Sequence, residues 1–270
     1  MPAAAALCLL GSVRTLGLEC TGATTLRRIA RPIAAAIFAF VNVPEQWSYD
    51  RAEGVRTLVR AMARDAELDL RVLEVDNRSP NSAFKGVPQA KGLKRCWEVV
   101  GAPGAFEYIV RVRTDVYHGF AMPERLPEGP PTSVAYVGFL GAPGCSPLRK
   151  GALWVDDRFA VLRGRRAQRV FLWDFAASLE ALPMATTGWW ERAAAPECVL
   201  GLAVAAANAL GRETPVALRD VRRLGLGTAR GSASCGRANC LIVRSSNCSA
   251  EVRAAPWVCP LEDAPPTLAL

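Results

Sequence analysis

The stretch from Phe106 to Gly119, Phe-Glu-Tyr-Ile-Val-Arg-Val-Arg-Thr-Asp-Val-Tyr-His-Gly, constrains this chain more than any other. Its first half is β-branched and aromatic, the composition of a buried strand, and its second half abruptly carries Arg111, Arg113, Asp115 and the sole histidine, His118. A buried strand that ends in charge generally ends at a site. In an open α/β sheet the carboxyl ends of the strands face the ligand crevice, which puts Asp115 at the rim, where a metal or polar substrate is held.

The rest of the chain supplies a sheet for that strand to join. Ala4 to Leu10 is an apolar run closed by Gly11, the pattern of a fully buried first strand, with Arg14 just past the turn. Thr21 to Arg31 has helical spacing and is expected to stop at Pro32. A strand over Ile33 to Val43 follows, then a helix over Tyr49 to Leu68 with Val55, Leu58, Val59 and Met62 on one face. Asp69 to Val75 alternates as a third strand, residues 76–88 read as a loop, and Ala90 to Val100 as a helix. Beyond the opening strand come a strand at Val134 to Gly138, a strand-like run from Trp154 to Leu162 containing Asp156 and Asp157, and a helical segment from Arg163 to Leu182. From Pro196 to Leu210 runs an alanine-rich helix with proline at its start and Gly211 after its end. Short strands are expected at Pro215 to Leu218 and at Leu224, and irregular chain beyond Gly225.

At 270 residues and 51% hydrophobic, the chain is long enough for one large α/β domain. Its net charge of +8, mostly arginine in excess, suits an anionic ligand such as a diphosphate, and equally fits a solvated surface. Of nine cysteines, Cys235, Cys240, Cys248 and Cys259 cluster near the C-terminus, which predicts a disulfide-stapled tail over residues 225–270, following a domain over residues 1–224. The spacings match no zinc pattern. Sequons at Asn247-Cys248-Ser249 and Asn77-Arg78-Ser79 point the same way, to an oxidising secretory or Golgi compartment, with a cytoplasmic location as the alternative. The first residues read as a strand rather than a leader, and no apolar run is long enough to span a bilayer.

In order and spacing, four motifs carry a resemblance: Leu7 to Arg14 (Leu-Cys-Leu-Leu-Gly-Ser-Val-Arg), Tyr108 to Asp115, Asp156 to Ala160 (Asp-Asp-Arg-Phe-Ala) and Pro196 to Leu200 (Pro-Glu-Cys-Val-Leu). The chain resembles the nucleotide-diphospho-sugar transferases of the GT-A fold, in particular the glycosyltransferase-like proteins of algae and other microbial eukaryotes. The resemblance implies a Rossmann-like three-layer α/β/α sandwich around a central, mostly parallel sheet. It also implies transfer of a sugar from a nucleoside-diphosphate donor to a hydroxyl on a glycan or protein acceptor. In that family an Asp-x-Asp after the middle strand holds Mn2+ or Mg2+ on the diphosphate. Here the corresponding residues are Arg113-Thr114-Asp115, so Asp115 is left as the metal residue, and Arg111 or Arg113 is free to neutralise the diphosphate directly. Gly11 and Arg14 are the nucleotide-side candidates at the first turn.

Sugar transfer also needs a carboxylate near the acceptor hydroxyl. Glu197 is the candidate base, although a helix-start carboxylate is explained as cheaply by the dipole. The resemblance favours Asp157 as an acceptor-side residue, while Asp156 is expected to pair with Arg158. Adjacent in a strand, the two acids would point to opposite faces, so only one should serve the site. His118 is expected in a turn, more often neither a ligand nor a proton carrier. Trp154, Trp189 and Trp190 are either a sugar-stacking wall or core. Two rivals keep the composition: a catalytically inactive GT-A-fold binding protein, and a basic polyanion or nucleic-acid binder. The second lacks the interleaved aromatics of an RNA-stacking surface, so no nucleic acid is expected.

Overall fold

Seven strands form the central sheet of the computed structural model, which describes residues 5–13, 16, 19–44, 48–78, 87–114, 116–118, 121–128, 133–138, 140–141, 154–181, 196–210, 214–224 and 240–242. The strands of this sheet are β1 (Ala5–Ser12), β2 (Ala36–Pro44), β3 (Leu70–Arg78), β4 (Tyr108–Arg113), β6 (Val134–Val137), β9 (Phe159–Arg163) and β10 (Ala217–Asp220). Two small two-stranded pairs complete the set. β5 (Val116–His118) lies antiparallel to β11 (Cys240–Ile242), and β7 (Leu140–Gly141) to β8 (Trp154–Val155).

The order across the sheet is β10-β6-β9-β4-β1-β2-β3. β4, β1, β2 and β3 run parallel, as do β6 and β10, while β9 is antiparallel to both of its neighbours. This is the expected α/β sandwich with a mostly parallel sheet. The direction of β9 has a consequence for the site: Asp156-Asp157-Arg158, just before its start, lies beside the carboxyl end of β4. The Arg113 N–H accordingly donates to the Arg158 carbonyl at 3.1 Å.

Alternation divides each strand between two apolar layers. Leu7, Leu9, Ile37, Val41, Val110, Val112 and Phe159 face helix α1 (Tyr49–Asp65), which buries Val55, Val59 and Met62. Ser48 caps α1, its hydroxyl accepting from the Arg51 N–H at 3.4 Å. Cys8, Leu10, Phe38, Phe40, Ile109 and Leu162 face the other layer. That layer holds α2 (Val87–Cys96), α3 (Arg165–Arg169), α4 (Phe175–Ala181) and α5 (Pro196–Leu210), with a π-turn over Val170–Asp174 joining α3 to α4. Phe171 and Phe175 are fully buried there, each contributing about 2–3 kcal/mol by removal from water.

Several boundaries differ from expectation for local reasons. Pro32 does not stop the first helical segment. It sits in the first turn of a short 3-10 helix, Arg31–Ile33, and the chain breaks only at Ala34, whose φ of 46° is left-handed, so β2 starts later than Ile33. Leu224 closes a 3-10 turn rather than a strand. His118 lies in strand β5, not a turn, and the segment beyond Gly225 is not wholly irregular, because Cys240–Ile242 pairs with that strand.

The cysteines also hold a surprise. Cys8 on β1 and Cys96 at the end of α2, which lie in stretches that the sequence marks only as strand and helix, form a disulfide that closes an 88-residue separation. Cys198 on α5 is disulfide-bonded as well. Any pairing among Cys235, Cys248 and Cys259 lies outside the described residues. Among the described residues, no helix is long and apolar enough to cross a membrane.

Candidate active site

At the carboxyl ends of β1 and β4 the backbones converge. The Thr114 N–H donates to the Leu10 carbonyl at 2.9 Å, and a Cβ placed on Gly11 would lie 2.7 Å from the Thr114 hydroxyl. Gly11, with φ of 133°, is thus required both by its backbone angle and by space. Asp115 follows Thr114 directly in the chain, but like Arg14, Trp189 and Trp190 it falls outside the described residues.

Beside this edge, toward α2 and α5, lies a cluster of buried charge. Asp157 sits in the bend before β9 with no exposed surface. Its Oδ2 accepts from the Arg113 Nη1 at 3.1 Å and from the Gln89 Nε2, in the first turn of α2, at 3.0 Å. Its main-chain carbonyl accepts from the Arg111 Nη2. Arg111, also fully buried, stacks 5.1 Å from the centroid of Phe175 on α4. Burial pushes the Arg111 guanidinium down to about 10, a range in which it remains charged at neutral pH. Asp156 takes a different arginine: its Oδ1 accepts from the Arg158 Nε at 2.6 Å and from the Arg158 N–H at 3.0 Å. The expected Asp156–Arg158 pair is present.

Satisfaction is incomplete. Asp156 Oδ2, Asp157 Oδ1 and the Nε and Nη1 of Arg111 are buried with no hydrogen-bond partner among the described residues. Groups left so in a folded core call for an explanation, and a site that takes up a proton or a polar ligand is one.

Glu197 completes the cluster. Pro196 and Glu197 open α5, where proline's fixed φ starts the helix and a carboxylate is favoured by its dipole. Burial, and after it the charge of Asp157, push the Glu197 carboxyl up to about 7; its own N–H and Arg158 oppose this less strongly, and Asp156 adds to it. For Asp157 burial alone would raise the carboxyl, but Arg113, Arg111 and the Gln89 amide outweigh it and hold the group below the usual range. Burial raises Asp156. Glu197 and Asp157, near enough for the charge of one to act on the other, are thus driven apart in proton affinity, the pattern of an acid–base pair.

Asp156 and Asp157 precede β9 rather than lying in a strand, so strand alternation does not govern them, and each takes its own arginine, Arg158 for Asp156 and Arg113 for Asp157. Arg111 and Arg113, read from sequence as diphosphate contacts, both donate to Asp157, Arg111 through Nη2 to its carbonyl and Arg113 through Nη1 to its carboxylate. His118 is fully buried at 5.3 Å from the Phe159 ring, and burial with the nearby Arg158 pushes it down to about 3, so it is neutral throughout the physiological range. Gln89 was not read as a site residue: a single glutamine early in a helix carries no periodic or motif signal. Among the described residues no three acids, histidines or cysteines converge to hold a metal ion. The expected Mn2+ or Mg2+ rests on Asp115 alone; within the cluster Asp156 and Asp157 are already paired with Arg158 and Arg113.

No family model matches the chain, and no curated protein matches its sequence. Among solved structures it is similar to the glycosyltransferase GlyE of Streptococcus pneumoniae TIGR4, with a TM-score of 0.38 at 10% identity over 81% of this chain and 46% of that one. The apo form of GlyE gives 0.35 at 8% identity, over 73% and 42%. A glycosyltransferase involved in the glycosylation of the major capsid of PBCV-1 gives 0.33 at 9% identity, over 80% and 82%. The chain spans less than half the length of the GlyE chains. Likenesses this distant decide nothing about activity, and the fold stands on the strand pairings above.

Proposed function

We propose that the chain is a glycosyltransferase that moves a sugar from a nucleoside diphosphate to a hydroxyl acceptor, with Glu197 as the base. One observation carries this reading: Glu197 is brought to the cluster at the carboxyl edge of β4 with its carboxyl raised to about 7, where a carboxylate is a competent base at cellular pH. Glu197 takes the acceptor hydroxyl proton as the oxygen bonds to the anomeric carbon. The bond from that carbon to the diphosphate breaks, and its electron pair leaves with the nucleoside diphosphate. Asp157 keeps Glu197 basic through its charge and lies on the acceptor side.

The donor diphosphate lies on the other side of β4, over the edge where Gly11 meets Thr114. Arg14, three residues past Gly11, and Asp115, next after Thr114, are the charged candidates for it, and Mn2+ or Mg2+ would bind through Asp115 and the phosphate oxygens. Arg113 and Arg111 act on the diphosphate at one remove, by balancing the carboxylates. A secretory or Golgi setting accords with the Cys8–Cys96 disulfide, which an oxidising compartment preserves.

A thermal-shift panel of UDP-, GDP- and CMP-sugars, with and without Mn2+, tests the reading. A donor at a hundred times its Kd should stabilise the chain by about 2.7 kcal/mol, and Asp115→Ala should remove the Mn2+-dependent part. If no nucleotide sugar stabilises the parent, the transferase reading falls. Stabilisation without turnover would leave the inactive binding protein. With a donor in hand, Glu197→Gln should lower kcat by about 10²–10⁴.

A further inference from the structure

We propose that Gln89 is the positioning residue of the carboxylate pair: its side-chain amide, carried in on α2, pins one oxygen of Asp157 and leaves the other, buried and unpartnered among the described residues, as the oxygen that can act. The inference rests on the reading of Glu197 as the base. It stands first on geometry: Gln89 Nε2 and Arg113 Nη1 reach the same oxygen, Oδ2, at 3.0 and 3.1 Å, while Oδ1 has no partner among the described residues. Two hydrogen bonds to one oxygen favour one orientation of the carboxylate. Oδ1 is the oxygen that this orientation leaves without a partner among those residues.

The arginine alone would not do this. Arg113 comes from β4, the strand to which the Asp157 bend is already fastened through the Arg113 N–H and the Arg158 carbonyl. Gln89 comes from the opposite layer, on a helix anchored to β1 by the Cys8–Cys96 disulfide and to β3 by the Arg95–Glu74 ion pair at 2.7 Å. It is the contact that ties Asp157 to α2. A neutral amide also holds Asp157 without adding charge, so Asp157 still acts on Glu197 as an anion. The charged groups facing Asp157 are Arg111 and Arg113 from β4, Arg158 and Asp156 from its own bend, and Glu197 from α5.

The test is the isosteric exchange Gln89→Glu in the full, oxidised chain, followed by carbon NMR of labelled side-chain carboxyls. Two carboxyls at hydrogen-bond distance share one proton, so the introduced carboxyl and Asp157 should titrate as a pair, with one step moved from the ordinary range near 4.3 up to roughly 6–8. The double exchange Gln89→Glu with Asp157→Asn swaps amide and carboxyl across the contact, and should abolish the raised step of the position-89 carboxyl, read by residue apart from Glu197, which lies at about 7 in the parent, and recover thermal stability lost in the single variant. If the introduced carboxyl titrates near 4.3, position 89 does not hold Asp157 and the proposal is overturned. Should the single variant fail to fold, failure of the double exchange to restore folding overturns it equally. Neither readout needs a sugar donor, so a chain that binds no nucleotide sugar but shows the paired titration loses its transferase assignment and keeps Gln89 in this role.

Discussion

From β1 outward to β3 the sheet buries alanine, leucine, isoleucine, valine and phenylalanine, and a disulfide fastens it to α2. Around β4 and β9 lie Arg111, His118, Asp156, Asp157 and Arg163, among the described residues the complete set of buried Arg, His and Asp side chains. The two regions share one sheet and the same two apolar layers, so packing alone does not require the difference. Buried ion pairs contribute little to stability compared with apolar residues of like volume, and breaking one is costly. A seam of charge between otherwise apolar strands is therefore better explained by what it does than by what it holds up. Arg163 is the exception. It lies at the other end of β9, pairs with Glu107 at 2.6 Å and stacks on Tyr108, an arrangement that is structural.

The largest effect should come from the apolar side. Replacing Cys8 and Cys96 together by alanine removes a cross-link over 88 residues, for a loss of about 4–5 kcal/mol in the chain-entropy account. Denaturant unfolding should show the midpoint falling with that magnitude. A loss below about 1 kcal/mol would mean that this half is held by packing without help from the staple.

On the charged side, Asp157→Asn removes the charge opposite Arg113 and should cost about 3 kcal/mol, less than for a wholly buried pair because Arg113 is partly exposed. It should also bring Glu197 down toward the ordinary carboxylate range, since the Asp157 charge is the second cause of its rise after burial. A stability loss with Glu197 unmoved would make the seam structural after all and remove the contrast. Gly11→Ala tests the junction of the two regions. With φ at 133° and the Thr114 hydroxyl 2.7 Å from the new Cβ, it should cost about 2–3 kcal/mol, read as a fall in Tm. Pairing it with Thr114→Ala, which clears the space but not the dihedral, should recover only part.

Much of this contrast was legible in the sequence. The Ile-Val-Arg-Val-Arg run announced a strand ending in charge, and the proline and glycine around residues 196–211 bounded α5 closely. Asp157 and Glu197 were singled out, although nothing local said that they would meet. Their meeting depends on β9 running antiparallel beside β4, and strand direction leaves no mark in a five-residue apolar run. The inward turn of Arg111 was equally hidden, because alternation marks a face only when the other face is solvated, and β4 is buried on both. Cys8 and Cys96 read as small apolar residues in apolar stretches, whereas the tail cysteines drew notice by crowding.

The smallest expected effect is also the one that separates the two regions most cleanly, because it needs no change in packing. Glu197 binds its proton more tightly folded, at about 7, than unfolded, near 4.5. Between those values the unfolded chain has lost the proton and the folded chain keeps it, so this group makes stability fall as pH rises. His118 acts oppositely. Its folded value of about 3 lies below the unfolded 6.5, so between them the unfolded chain holds the extra proton and stability rises with pH. The windows overlap from about 4.5 to 6.5, where the two slopes oppose each other and the parent alone would hide both. The difference between parent and Glu197→Gln isolates the first. It should change by about 2 kcal/mol across pH 4.5–7, with the parent losing ground as pH rises, a figure discounted for the partial exposure of Glu197. A difference curve that is flat in urea midpoints across that range would return Glu197 to an ordinary helix-start carboxylate, and the charged seam would lose its base.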